Sequence, residues 1–309
     1  LKAFIWINCR LLTVNPIDAI LWTLRRNEKD VIKLYDSLSP IMQLATGATM
    51  LNFGYWEGNV NNPVVAQSSL CRLVGKLADL GSSRTLIDVG SGYGAPALQW
   101  SRQYPLGNMV CVNINSQQLV NGFKIATSTT ENAQTFHIHC LRTNINYING
   151  TSLYLPFATG TVDRIISLES AQHFKPFDRF IAETYRILQR KGLLVIAMPV
   201  TVSLDNVLKK LPKLGILNLT WSSEHYGLEY VKATIRKCRF NIMDISTIGS
   251  QVYEPLALYY IQNRKELRRK IMTLYPSYIE KILCKSLVKM MTVSKKGLIE
   301  YIVLKAQKI

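Results

Sequence analysis

The sequence predicts an α/β protein built on a wound, mostly parallel sheet. Apolar and β-branched runs alternate with helical stretches through the middle of the 309-residue chain. The strand at 84–89 leads directly into a glycine-rich turn made by Gly90, Gly92 and Gly94. Glycine allows positive φ and lets backbone N–H groups approach a ligand closely. Since a helix follows at 95–104, the turn is predicted to lie at the strand-to-helix junction where nucleotide-like ligands bind.

The remaining elements follow in the alternating order that a wound sheet requires. Short apolar runs predict six further strands, at 108–113, 134–140, 162–168, 193–198, 240–248 and 298–305. Longer stretches predict helices at 63–80, 95–104, 116–129, 177–190, 204–211 and 224–237. A helical lid is predicted upstream at 27–60, and a helical insertion separates the last two strands. A chain of this length can form one large domain with a substantial core.

Two nucleotide-like ligands compete for the glycine turn. Gly90 to Ala95 satisfies the loose dinucleotide pattern G-x-G-x-x-G/A. An NAD site, however, expects this turn near the start of the fold and an acidic residue about 20 residues later. More than eighty residues precede the turn here, and the next strand ends in Asn113. The context therefore disfavours NAD.

Asp88 followed by Gly-x-Gly-x-Gly resembles motif I of the class I S-adenosylmethionine (SAM) methyltransferases. Later segments are similar to this family in the expected order, namely Leu155–Phe157, Thr161–Leu168, Glu183–Leu194 and the final strand Gly297–Lys305. The segments Tyr35–Asp36 and Leu51–Trp56 resemble the N-terminal lid of the small-molecule group. That group includes quinone, sterol, phosphoethanolamine, geranyl diphosphate and sugar methyltransferases.

The resemblance implies a Rossmann-like seven-stranded sheet with a helical N-terminal lid and a helical cap. It implies SAM as the cofactor and one methyltransferase domain over residues 1–309. Within that domain, 1–60 would form the lid and 61–200 the SAM-binding core. The cap, strands six and seven and a basic helical insertion would occupy 201–309.

The resemblance also assigns cofactor contacts residue by residue. They are Tyr35, Trp56, Asp88, Gly90, Ser91, Gly92, Asn113, Gln118, Thr151, Ser152 and Leu168. Asn113 stands where most relatives place an acid on the ribose hydroxyls, and an amide can still donate and accept one hydrogen bond each. Thr151 and Ser152 replace the acidic–small pair that contacts adenine in the family. Packing in the core is the alternative for Tyr35 and Trp56.

Glu169 and His173 are the candidate catalytic residues. They are four residues apart, so a helical turn would place both on one face near the transferred methyl. In related enzymes a histidine in this segment acts as general base, and an unperturbed pKa near 6.5 suits that role. Glu169 is expected to orient His173 or to face a cationic intermediate. The alternative for His173 is that it only orders the loop.

Missing motifs narrow the class of acceptor. No Asp/Asn-Pro-Pro-Tyr/Phe follows strand four, which disfavours amino methylation of adenine or cytosine, and no Pro-Cys nucleophile occurs there. A small, lipophilic or phosphorylated acceptor is therefore expected, methylated on carbon, oxygen or nitrogen. An RNA methyltransferase is the alternative enzyme, since a positive groove alone gives nonspecific affinity for nucleic acid. A non-catalytic SAM-binding protein that contacts a membrane or partner is the third reading.

The net charge of +17 is concentrated at the C-terminal end. Residues 206–309 hold 19 Lys+Arg against 7 Asp+Glu, or +12 of the total. Lys281, Lys285 and Lys289 recur every four residues and are predicted to line one helical face. Such a basic amphipathic stretch suits an anionic membrane surface, and a solvated face is the alternative.

The first 24 residues add a second membrane signal. They are rich in apolar residues, including Trp6 and Trp22, but interspersed polar residues exclude a transmembrane helix. An interfacial helix or packing on the core would both explain them. Six scattered cysteines and four histidines lack metal-ligand spacing, so no metal site is expected. Free thiols favour a cytoplasmic protein, peripheral on the membrane if these basic and apolar segments bind it.

Overall fold

The computed structural model describes residues 27–131, 145–202, 214, 216–217 and 224–309. Seven strands form one sheet in the order β3-β2-β1-β4-β5-β7-β6. The strands are β1 (Thr85–Val89), β2 (Asn108–Asn113), β3 (Ile145–Asn149), β4 (Val162–Leu168), β5 (Leu188–Thr201), β6 (Phe240–Thr247) and β7 (Ile299–Lys308). The first five are parallel, and β7 pairs antiparallel with both β5 and β6. The predicted α/β, Rossmann-like sheet is confirmed.

Nine α-helices surround this sheet in the part of the chain that the structure describes. They are α1 (Glu28–Thr46), α2 (Pro63–Leu77), α3 (Ala95–Gln103), α4 (Ser116–Glu131), α5 (Phe177–Ile187), α6 (Leu228–Lys237), α7 (Tyr253–Gln262), α8 (Arg264–Ile271) and α9 (Ser277–Lys295). The lid helix α1 begins at a capping box, in which the Asn27 side chain accepts from the Asp30 N–H and the Asp30 carboxylate accepts from the Asn27 N–H.

The third strand lies later in the chain than predicted. The range 134–140 lies outside the described residues, and the strand that pairs with β2 is Ile145–Asn149. Its register sets Asn149 opposite Asn113, so both strands end at the same edge.

Several other boundaries differ from the sequence prediction, and the helix predicted at 224–237 begins only at Leu228. The lid is helical only to Thr46, where Gly47 in the left-handed region ends α1, and residues 47–60 form a loop. The helix predicted at 177–190 ends at Ile187, because Leu188 already pairs with Val162 as the start of β5. The cap helix predicted at 204–211 lies outside the described residues, as does the apolar segment before residue 27.

Each face of the sheet has its own hydrophobic core. One cluster joins alternate strand residues, such as Leu86 and Val195, to α2 and to the insertion helices α7 to α9. The other joins the intervening residues, such as Ile87 and Ile196, to α5 and α6. This alternation is the period-2 pattern of strands buried on both faces.

The basic insertion is part of the fold, since its apolar side is buried. Helix α9 packs against α7, and α8 packs against the lid helix α1. The buried residues of α8 are Leu267 and Ile271. The buried Glu280 carboxylate accepts from Arg264 at 2.8 Å and lies 3.8 Å from Arg268. The insertion therefore supports the lid from outside.

Candidate active site

The glycine turn lies between β1 and α3, as predicted. Gly90, Gly92 and Gly94 have φ of +78°, +57° and +70°. The Gly90 N–H donates to the Val112 carbonyl at 2.7 Å, which attaches the turn to the neighbouring strand β2. A β-carbon on Gly90 would lie 2.3 Å from the Ser170 β-carbon, whereas one on Gly92 would meet only Leu51, at 3.9 Å. Gly92 therefore faces open space.

That open space is a cleft between the strand ends and the lid. Four parts of the fold line the cleft: the glycine turn, the end of β2, the end of β4 and the lid. Its lining residues include Val31, Ile32, Tyr35, Met50, Leu51, Gly90, Ser91, Gly92, Asn113, Gln118, Leu168, Glu169, His173 and Phe174. The cleft lies outside the carboxyl ends of parallel strands, where open α/β sheets bind their ligands.

A polar network joins the end of β2 to the lid helix. The buried Asn113 amide donates to Gln118 Oε1 at 2.9 Å, and Gln118 Nε2 donates to Ser39 Oγ at 3.2 Å. Beside them, Asn115 Nδ2 donates to Asp36 Oδ1 at 2.7 Å. These contacts close α1 over the part of the cleft that Asn113 and Gln118 line.

Glu169 connects the end of β4 to the lid loop and to β7. Its Oε1 accepts from the Phe53 N–H and from the Tyr301 hydroxyl, each at 2.9 Å. The residue has a left-handed φ of +52°, an uncommon conformation for a non-glycine residue. Burial raises the pKa of Glu169 to about 8, although both hydrogen bonds to the carboxylate oppose the shift.

His173 contacts the lid helix through Tyr35. The Tyr35 hydroxyl lies 3.0 Å from His173 Nε2, and the two rings meet edge to face with centroids 5.5 Å apart. Burial, together with the Glu169 charge, raises the pKa of Tyr35, so its hydroxyl stays protonated and can donate to the imidazole. The cleft thus contains an imidazole already paired with a proton donor.

The expected one-face arrangement of Glu169 and His173 is wrong. Residues Ala171–His173 form a single 3₁₀ turn, and the left-handed Glu169 lies outside it. The two side chains line the same cleft, but Glu169 bonds to Phe53 and Tyr301, and His173 bonds to Tyr35. The role of Glu169 in orienting His173 stays a prediction.

Comparison with known proteins identifies the family. A methyltransferase domain model matches residues 87–196, from the core of β1 to β5. The erythromycin 3''-O-methyltransferase of Saccharopolyspora erythraea is 22% identical over 85% of each chain. The chain is a class I SAM-dependent methyltransferase.

Solved structures support the same fold. The cyclopropane synthase MmaA2 from Mycobacterium tuberculosis superposes with a TM-score of 0.75, at 16% identity over 92% of this chain and 99% of that one. Geranyl diphosphate methyltransferase, solved with GPP and sinefungin, gives a TM-score of 0.69 at 13% identity over 94% of this chain and 100% of that one. Such identities establish the architecture of this methyltransferase and leave its acceptor open.

The cleft of this methyltransferase fits SAM, its cofactor. Two buried polar atoms beside the glycine turn, Asp88 Oδ2 and Ser91 Oγ, have no hydrogen-bond partner among the described residues. Burial raises the pKa of Asp88 to about 7. Buried polar groups are seldom left unpaired, so these atoms indicate a polar ligand such as the amino-acid end of SAM. Ser91 lines the cleft, and Asp88 lies one layer behind it in β1.

Besides Asp88, three of the expected cofactor contacts do not line this cleft. Trp56 is buried against Tyr259, with ring centroids 5.7 Å apart, and its indole donates to the Phe53 carbonyl at 3.2 Å. Thr151 follows β3 and its hydroxyl bonds to Glu28 at the start of the lid helix. Neither residue lines the cleft, nor does Ser152. Their assignment as cofactor contacts stays a prediction, as do the assignments of the residues that do line it.

Sequence reasoning missed several residues of the site. Met50 and Asn52 of the lid loop line the cleft, and Asn115 joins it to the lid. The resemblance of the Leu51–Trp56 segment pointed to this loop but not to individual contacts. Tyr301 reaches Glu169 from the last strand, and a strand residue pointing into a core carries no such signal in the sequence.

Proposed function

We propose that this methyltransferase transfers the methyl group of SAM to a hydroxyl of a small, lipophilic acceptor, with His173 as general base. The observation that carries the proposal is the Tyr35–His173 pair, joined at 3.0 Å in the cleft that the glycine turn opens. A hydroxyl is a weak nucleophile until a base removes its proton, and imidazole is the side chain best suited to do so near neutral pH.

The lining of the cleft supports an apolar acceptor. The apolar residues that line the cleft include Val31, Ile32, Met50, Leu51 and Phe174. Apolar walls with a few convergent polar groups are typical of small-molecule sites. The relative from Saccharopolyspora erythraea is named for 3''-O-methylation of erythromycin, which agrees with transfer to an oxygen of a small molecule.

Residues of this chain move the proton, exclude water and align the acceptor. SAM supplies an electrophilic methyl group on its sulfonium sulfur. When His173 Nε2 is unprotonated, the Tyr35 hydroxyl donates to it across 3.0 Å. An acceptor hydroxyl bonded to the Tyr35 oxygen would then give its proton to Tyr35 as Tyr35 gives its own proton to the imidazole. The lid excludes water and aligns the acceptor. Glu169 holds the lid loop through the Phe53 N–H.

The experiment uses SAM labelled in its methyl group, with a crude lipid extract and total RNA offered in parallel. We expect label in the lipid fraction, on oxygen. Replacing His173 by Ala should lower turnover about 10²–10⁴-fold with little change in SAM affinity by calorimetry, and the wild-type rate should fall as pH drops through the pKa of histidine. Label in RNA would overturn the acceptor class, and full turnover by the His173 variant would overturn the base.

We also propose that the protein is cytoplasmic and binds anionic membranes peripherally. The four cysteines in the described part of the chain are unpaired, which agrees with a reducing compartment. Lys281 and Lys285 are exposed, and exposed apolar side chains, Tyr278 and Ile282, lie on the same helix α9. No helix in the described ranges is long and apolar enough to cross a bilayer. A peripheral site would give the enzyme access to lipophilic acceptors.

A further inference from the structure

The loop that carries His173 is held from the cap side at the carbonyl groups of both neighbouring residues. The Glu224 N–H donates to the Gln172 carbonyl at 2.9 Å, and the Tyr226 hydroxyl donates to the Phe174 carbonyl at 2.6 Å. One residue further, Lys175 Nζ lies 3.0 Å from Glu224 Oε2. The carbonyl groups of the residues just before and just after His173 are therefore bonded to the same short segment.

That segment is itself fixed to the sheet. Thr201, the last residue of β5, donates its N–H to the Tyr226 carbonyl at 3.0 Å and its hydroxyl to the His225 carbonyl at 3.3 Å. His225 is buried and has a left-handed φ of +53°. The loop around His173 is thus connected through Tyr226 to a strand of the core.

The Tyr226 side chain is built into an aromatic cluster below the loop. Its ring lies 5.0 Å from that of Phe177 and stacks on Tyr230 at 5.5 Å, with an interplanar angle of 18°. Burial raises the pKa of Tyr226, so the hydroxyl stays a donor. The cluster limits the ring to a position from which the hydroxyl reaches the Phe174 carbonyl.

We propose that Tyr226 is a positioning residue, which holds the His173 imidazole against Tyr35 by fixing the Phe174 peptide group. This inference rests on the proposed role of His173 as base. Lid and cap then act on one residue from two sides, Tyr35 on the imidazole and Tyr226 on the backbone beyond it. Misplacing a catalytic group by about 1 Å can cost about 10²-fold in rate, so this bond is expected to affect turnover.

The test variant is Tyr226→Phe, which removes one hydroxyl and keeps the stacked ring. Tyr230→Phe is the matched control, because Tyr230 belongs to the same stack and its hydroxyl makes no described hydrogen bond. Lys175→Gln is a second variant, which removes the ion pair between Lys175 and Glu224. The Lys175 side chain is 59% exposed. Tyr35→Phe serves as the positive control for loss of the imidazole contact.

The measurement is the ¹H–¹⁵N long-range NMR spectrum of the histidine rings, with the His173 signals assigned from a His173→Gln variant. We expect Tyr226→Phe to broaden the His173 ring signals or to shift them in the same direction as Tyr35→Phe does. Lys175→Gln should shift these signals less, and Tyr230→Phe should leave them unchanged. A role confined to stability would lower Tm and leave these signals in place. Unchanged signals in Tyr226→Phe would overturn the proposal.

Turnover separates this proposal from the proposed function. With the lipid extract and labelled SAM, Tyr226→Phe should lower methyl incorporation about tenfold while SAM affinity by calorimetry stays unchanged. Absence of transfer by the wild type would contradict the proposed function alone, because the NMR result does not need an acceptor. Wild-type transfer with full activity in Tyr226→Phe would contradict the positioning role alone.

Discussion

At the scale of single residues, Gly90 and Gly92 lack side chains for different reasons. Both have positive φ, which costs an L-residue with a β-carbon roughly 1–2 kcal/mol. A side chain on Gly90 would collide with Ser170 of the neighbouring loop, whereas one on Gly92 would enter the cleft. Gly90 is therefore required by the packing of the protein, whereas the protein itself leaves space at Gly92, where we propose that the cofactor binds.

We expect Gly92→Val to abolish SAM binding and to leave the fold largely intact, because valine would fill cofactor space without a clash in the protein. Calorimetry measures the affinity, and circular dichroism the fold. Gly160→Val is a matched control, since Gly160 has a φ of +71° with nothing near its β-carbon position and does not line the cleft. It should share the cost in stability and keep SAM affinity. An unchanged affinity in Gly92→Val would contradict the assignment of the cleft.

Glu169 makes stability depend on pH. Its folded pKa of about 8 lies above the ordinary value of 4.5, so the folded state binds more protons than the unfolded state between these values. Stability should therefore fall as pH rises from about 4.5 to 8. We expect Glu169→Gln, which keeps an acceptor for Phe53 and Tyr301, to stabilise the protein at pH 8.5 by on the order of 2 kcal/mol and to have little effect at pH 4.5.

Urea unfolding of wild type and variant across this pH range measures the difference. Glu57→Gln in the exposed part of the lid loop is the control and should give no pH-dependent difference. Asp88, whose pKa burial raises to about 7, should leave a residual slope of the same sign in Glu169→Gln. An equal difference at both ends of the range would show that the Glu169 carboxyl is not shifted.

At the scale of elements, the lid is held on two sides. Polar contacts from Ser39 and Asp36 join α1 to the cleft, and α8 packs on its outer side. Helix α8 is strongly basic, so its attachment depends on two apolar residues, Leu267 and Ile271. Buried Glu280 keeps Arg264 in place beside them. The insertion between β6 and β7 therefore packs against the lid helix through α8.

We expect Ile271→Ala to destabilise the protein by about 2–5 kcal/mol and to speed amide hydrogen exchange in Glu28–Thr46, because it opens a cavity behind the lid. Met272→Ala, at the neighbouring position with a side chain that is 45% exposed, is the control and should change neither quantity. Faster exchange throughout the protein, without enrichment in α1, would mean that α8 supports the core generally and the lid no more than the rest.

At the scale of the whole molecule, the basic stretch lies in the insertion between β6 and β7, outside the parallel part of the sheet. The insertion buries its apolar stripe in the core, so a membrane would meet only its outer face. We expect binding to vesicles with anionic lipid to be salt-sensitive, and charge reversal at Lys281, Lys285 and Lys289 to release the protein, since each basic residue near such a surface contributes about 1 kcal/mol.

Co-sedimentation with anionic and with neutral vesicles measures this binding. Charge reversal at three exposed basic residues of other elements, Lys124, Arg190 and Lys237, changes the net charge by the same amount and is the control. If both triple variants lose vesicle binding equally, binding depends on the net charge of the protein and not on α9 in particular. Equal partitioning of the wild type to neutral and anionic vesicles would favour a solvated basic face.

The sequence alone determined the sheet, the glycine turn and the cofactor side of the cleft. Gly90, Gly92, Asn113 and Gln118 belong to consecutive elements whose order follows from local patterns, and parallel strands bring their ends to one edge. For this reason the fold and the cofactor could be predicted without coordinates. The division into lid, core and cap remains a prediction.

Only the tertiary structure decided how the acceptor side is assembled. Tyr301 meets Glu169 across 132 positions of sequence, Tyr35 meets His173 across 138, and Tyr226 meets Phe174 across 52. These contacts depend on which strands are neighbours and on how the lid and cap pack, and no local pattern encodes either. The i, i+4 spacing of Glu169 and His173 misled for the same reason: bonds to the lid and to β7 hold Glu169 outside the turn, and tertiary contacts prevail over local spacing.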